Sequence, residues 1–93
     1  MQTIKLIKNH LFQLLMPDWL EVVDESSQHR GHGGFREGEV THIRIRVVSA
    51  LLEGLPRVQQ HQKIYGFLQP FPMLHAIAIE VFPVGTQKES KIY

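Results

Sequence analysis

The sequence predicts an α+β domain in the order α-β-β-α-β, with both helices covering one face of a three-stranded sheet. Three observations carry that expectation. Two stretches repeat apolar residues at helical spacing, three repeat them at every second position, and a glycine-bearing segment, "SSQHRGHGG" from Ser26 to Gly34, separates the first two alternating stretches.

The first helix opens at Thr3, whose side-chain oxygen suits a helix start, and Ile4, Ile7, Leu11 and Leu14 or Leu15 recur on one side. Pro17 disfavours helical geometry at Met16, so the helix is expected to stop there. Trp19 to Glu25 alternates next, with Leu20 and Val22 facing one way and Glu21, Val23 and Glu25 the other. Val40 to Val48 does the same: Ile43, Ile45 and Val47 share one face, and His42, Arg44 and Arg46 share the opposite, solvent-facing one. An antiparallel hairpin is the simplest way to join the two strands, and it lays Glu21 and Glu25 beside Arg44 and Arg46 on an outer face that largely neutralises itself. Pro56 suits the first turn of a second helix whose stripe reads Val58, His61, Tyr65 and Leu68, with Ile64 alongside, and Pro70 and Pro72 end it. Leu74 to Phe82 supplies the last strand, Ile77, Ile79 and Val81 alternating with Ala76, Ala78 and Glu80. Residues 1–84 are expected to form one domain and residues 85–93 a polar tail.

Composition narrows the chemistry. The 93 residues, 43% hydrophobic and 20% charged, suit one domain with a modest core. Without cysteine the chain has no disulfide, no thiolate metal ligand and no thiol nucleophile, so any thiolate ligand must come from another molecule. A net charge of +1, with six histidines counted neutral, does not announce a nucleic-acid or membrane partner. The apolar runs are too short to span a bilayer and the N-terminus lacks a secretory pattern, so a cytoplasmic protein is expected.

No Walker loop, dinucleotide-binding glycine fingerprint or zinc-protease helix motif is present, and no spacing pairs a nucleophile with its base, so no enzymatic activity is expected. "GHGG", Gly31 to Gly34, matches the GxxG loop of KH domains in form, but there the loop joins two helices and here it joins two strands. The histidines remain. His29 and His32, three apart in the glycine loop, can both reach one metal ion, although a solvated hairpin loop carries the same spacing. His75 opens the last strand on the parity of Ile77 and Ile79, a place for a half-buried, hydrogen-bonded histidine; His61 reads as core, and His42 as surface.

Taken together, "LEVVDESSQHRGH", "THIRIRVVSALLEG", "VQQHQKIYGFL" and "LHAIAIEVFPV" resemble the BolA family, in order and over nearly the whole chain. The resemblance implies a class II KH-like fold with a mixed sheet. It also implies pairing with a CGFS-type monothiol glutaredoxin to share a bridging [2Fe–2S] cluster, with glutathione in the complex, the chain being a monomer alone and a heterodimer with its partner. DNA-binding regulation of transcription is the other role the family implies. By position, His75 matches the family's ligand near the C-terminus, and the loop after "DES" carries the second. Counting from Asp24 selects His29, whereas the local "RGH" selects His32. Two imidazoles on one iron raise a cluster's potential and leave two sulfur ligands to be found, here the partner's cysteine and glutathione. Imidazole coordinates only when deprotonated, so cluster retention is expected to fade as pH falls. The family's second helix commonly reads "RHR" where this chain has "QHQ" at 60–62, which leaves Arg57 and Lys63 as the nearby cations for any nucleic-acid contact. "QPFPML" stands where the family has an acidic helix end, so an early stop is expected.

Overall fold

The computed structural model describes residues 2–26 and 39–86. In chain order these form helix α1 (Gln2–Leu15), strands β1 (Trp19–Asp24) and β2 (His42–Val48), a 3-10 turn (Ala50–Leu52), helix α2 (Arg57–Phe67) and strand β3 (Ala76–Phe82). The predicted element order is therefore the observed one.

The sheet runs β1-β2-β3. β1 and β2 are antiparallel, with Trp19 opposite Val48 and Asp24 opposite Ile43, as a hairpin requires. β2 and β3 are parallel, with His42 opposite Ala76 and Val48 opposite Phe82. Parallel neighbours cannot be joined by a tight turn, and α2 supplies the crossover. The sheet is thus mixed, the α+β arrangement expected of a class II KH-like domain.

The core lies between the helices and one sheet face. Ile7, Leu11 and Leu15 of α1, Leu20 of β1, Ile43, Ile45 and Val47 of β2, and Ile79 of β3 are buried together with Leu52, Ile64 and Leu68. α1 uses Leu15 for this stripe and leaves Leu14 exposed. It ends as Pro17 demands: Met16 turns into the left-handed region at φ 45°, a conformation an L-residue adopts at a cost of about 1–2 kcal/mol. The buried hydroxyl of Ser49 then donates to the Leu15 carbonyl at 2.7 Å, satisfying one of the helix's last acceptors.

α2 departs from the expected stripe. Ile64 is fully buried and Leu68 nearly so, but Val58 is 65% exposed and Tyr65 45% exposed. The inward side instead includes Gln60, whose side-chain amide donates to the Leu52 carbonyl at 2.9 Å, and Phe67, packed on the core. A polar residue pinning the helix by a hydrogen bond hides that face from a reading based on apolar periodicity. His61 is half-buried beside the sheet edge rather than in the core. Pro56 stands just outside the helix and its carbonyl accepts from Gln59 and Gln60. The early stop is present: the helix ends at Phe67, and Leu68 to Leu74 turn through the hydrogen bonds Phe71 N–H to Leu68 O and Leu74 N–H to Phe71 O. Across the helix pair, His10 Nε2 meets the Phe67 carbonyl at 2.8 Å, and its ring stands edge-on to Phe71.

Strands β2 and β3 start two residues later than their alternation suggests, at His42 and Ala76. The residues just before each strand are engaged in a different set of hydrogen bonds.

Candidate metal centre

His29 and His32 lie outside the described residues, which break off after Ser26 and resume at Glu39. The root of the glycine loop is tied at several points. Asp24 Oδ1 accepts the Ser26 N–H at 2.9 Å, a local side-chain turn, and the Glu25 N–H continues the hairpin ladder to the His42 carbonyl at 2.8 Å. Ser26 is buried. Its hydroxyl accepts the N–H groups of Thr41 at 2.9 Å and His42 at 3.2 Å and donates to the His42 carbonyl at 3.4 Å.

Thr41, fully buried, joins this root to the start of β3. Its carbonyl accepts the N–H of His75 at 2.7 Å and of Ala76 at 3.2 Å, and its hydroxyl shares a 2.8 Å hydrogen bond with His42 Nδ1. Buried polar groups that lack partners are costly, and among the described residues no buried side-chain nitrogen or oxygen lacks one. The result brings two imidazoles together: the His42 and His75 rings lie 6.5 Å apart between centroids, tilted by 32°.

Two expectations change at this point. His75 is exposed rather than half-buried; its main chain is anchored, and among the described residues no side-chain hydrogen bond holds its ring. His42 is only 6% exposed rather than a surface residue, although its parity on β2 is the expected one. Strand parity gives the direction of a side chain but not how deeply its strand end is covered. No sequence signal marked Thr41 or Ser26; the nearest was their position at the two ends of the glycine loop.

Beyond this cluster the outer face is the charged surface expected, extended by one residue. Glu25 binds Arg44 at 2.7 Å, Arg44 binds Glu80 at 3.0 Å, Glu80 binds Arg46 at 2.8 Å, and Arg46 binds Glu21 at 3.2 Å. Hydrogen bonding from Arg46, above all, holds the Glu80 carboxyl below its ordinary range, and the carboxylates hold both guanidiniums above theirs. A depressed carboxylate stabilises the fold above its unfolded value and loses that effect as pH falls through the folded one. Glu80→Gln is accordingly expected to lower the melting temperature at neutral pH, by a margin that shrinks in acid and in high salt; thermal melts under those conditions check it.

Arg57 and Lys63 are not brought together. Six positions apart, they lie about 120° apart around the helix axis. Arg57 borders a cavity of about 310 Å³ with Gln60, His61, Ile79, Glu80 and Val81, while the Lys63 ammonium lies 5.9 Å over the Phe67 ring. A single phosphate grip is not formed.

The donor set at this end of the sheet includes no thiolate. The sequence has no cysteine, and among the described residues no three of His, Cys, Asp or Glu gather to hold a metal ion. An exposed imidazole beside a second one fits an open half-site, completed from outside, and does not fit a closed structural site. No helix among the described residues is long and apolar enough to cross a membrane.

The family model for BolA-like proteins matches residues 11–86, most of the chain. The chain belongs to the BolA-like family. An uncharacterized protein encoded in the cobS 5' region of Sinorhizobium sp is 39% identical over 83 residues, covering 86% of this BolA-like chain and 89% of that protein. BolA-like protein 1 of Bos taurus is 34% identical over 86 residues, 90% of this chain but 61% of the longer bovine protein. Among solved structures, the BolA domain of SufE1 from Arabidopsis thaliana superimposes with a TM-score of 0.79 at 34% identity, covering 89% of this chain and 93% of that domain.

Proposed function

We propose that this BolA-like protein is a non-enzymatic adaptor that pairs with a CGFS-type monothiol glutaredoxin and shares a bridging [2Fe–2S] cluster with it. The observation that carries the reading is His75, whose main chain is held by the Thr41 carbonyl while its imidazole is exposed. In this reading His75 and one of His29 and His32 are the iron ligands from this chain. When bound, the cluster supplies a transferable, redox-active centre whose potential imidazole ligation raises. A cluster of this type takes four terminal ligands, and a chain with no cysteine supplies no thiolate among them. The partner's cysteine and a bound glutathione are the sulfur donors, which suits the cytoplasm, where thiols stay reduced.

The test is reconstitution under anaerobic conditions with such a glutaredoxin, iron, sulfide and glutathione. The expected result is a coloured heterodimer whose visible absorption depends on both proteins. A chain that loads alone and keeps its colour without a second protein or a small thiol would sink the reading.

A relative in Haemophilus influenzae, 28% identical over 80 residues, is named DNA-binding transcriptional regulator BolA, and it supports a second reading. Binding to DNA through Arg57 and Lys63 would weaken steeply with salt, whereas a metal-mediated pairing responds to chelators. The separation of those two cations around α2 favours the first reading. A gel-shift series over several salt concentrations decides between them.

A further inference from the structure

We propose that Thr41 is the positioning residue of this centre, holding His42 and His75 as one imidazole pair. The role rests on the reading of His75 as an iron ligand. Every polar group of Thr41 is committed: the N–H to Ser26 Oγ, the hydroxyl to His42 Nδ1, and the carbonyl to the N–H groups of His75 and Ala76. One fully buried residue thereby joins the root of the glycine loop, the first residue of β2 and the first residues of the β3 segment.

The hydroxyl is the informative group. Valine has nearly the same shape and suits a strand equally well, so packing alone does not require an oxygen here. What the oxygen adds is a bond to Nδ1 of His42, and because a hydroxyl both donates and accepts, that bond holds the ring's plane in either tautomer. The fixed ring stands beside that of His75, 6.5 Å away and 32° from parallel, and forms a wall that limits how the His75 imidazole turns. Histidines that bind metal are usually oriented by a hydrogen bond to their second nitrogen. Among the described residues none reaches the His75 ring, so the Thr41 carbonyl and the His42 wall take over that orienting role.

Thr41→Val removes only the hydroxyl and keeps both backbone bonds, while Thr41→Ser restores the hydroxyl. In the metal-free protein, imidazole NMR reads the His42 and His75 ring resonances. In the heterocomplex with the glutaredoxin, visible circular dichroism and the rate of cluster loss to a chelator read the ligand itself. Thr41→Val is expected to shift the His42 resonances, shift the His75 resonances and speed cluster loss about tenfold, and Thr41→Ser to reverse all three. His42→Leu, which removes the wall without touching Thr41, is expected to shift the His75 resonances in the same way. The proposal is overturned if those resonances stay in place in Thr41→Val or, should that variant not fold, in His42→Leu. It is equally overturned if Thr41→Ser behaves like Thr41→Val. Should the unmodified chain take up no cluster with the glutaredoxin, the metal reading falls separately, and the metal-free spectra still decide whether Thr41 positions the pair.

Discussion

His75→Ala is expected to remove most of the visible absorption of the cluster-bridged heterodimer while leaving the fold of the isolated chain intact. The side chain is exposed and has no hydrogen bond among the described residues, so its truncation changes unfolding free energy by no more than about 0.5 kcal/mol. Under the proposed function the cluster, by contrast, loses one of its four terminal ligands. The nearest imidazole is a poor substitute, because His42 is buried and its Nδ1 is already bonded to Thr41. Cluster loss to a chelator is expected to accelerate by about tenfold or more. His61→Ala is the control: that residue borders a different cavity, near the end of β3, and its removal is expected to leave the spectrum unchanged. Equal spectra for His75→Ala and the unmodified heterodimer would remove His75 from the ligand set.

The largest effect on stability is expected at Ile64. It is the one residue of α2 that is buried, and it packs among residues of α1, β2 and β3. Ile64→Ala removes buried methyl and methylene groups and leaves space that the neighbours fill only in part, a loss of about 2–5 kcal/mol. Alanine's better helix propensity returns at most about 0.5 kcal/mol. Against a total of about 5–15 kcal/mol for a domain, that is a large fraction. Urea denaturation is expected to show a lowered midpoint with an unchanged slope. Val58→Ala, on the outward side of the same helix, is expected to change stability by no more than about 0.5 kcal/mol. Reversal of the two results would mean that the core lies on the stripe the apolar spacing suggested.

That contrast shows how much of the structure was legible. β2 was read correctly because its alternation is strict: Ile43, Ile45 and Val47 are buried, and Arg44 and Arg46 face the carboxylates of Glu21 and Glu25. α2 was read less well because its inward face includes Gln60, whose place depends on one hydrogen bond to Leu52, a long-range fact with no local periodic signature. The same limit applies to the centre. Family position singles out His75, but parity alone makes its neighbour His42 solvent-facing, because parity says nothing about what covers a strand end. Thr41 was missed because its hydroxyl, amide and carbonyl serve three separate segments that meet only after folding. His29 and His32, both outside the described residues, stay alternatives for the second ligand that the proposed function calls for.

The parallel pairing of β3 also has a bearing on the growing polypeptide. Everything from Ser49 to His75 must be synthesised and folded back before the last strand reaches the sheet's far side, and such non-local pairing is among the slower steps of chain collapse. Until then Thr41 has nothing to receive at its carbonyl, and the imidazoles that later stand side by side are strangers on a loose string. In an immature chain the two rings are therefore apart, and they come to stand together only with the final strand.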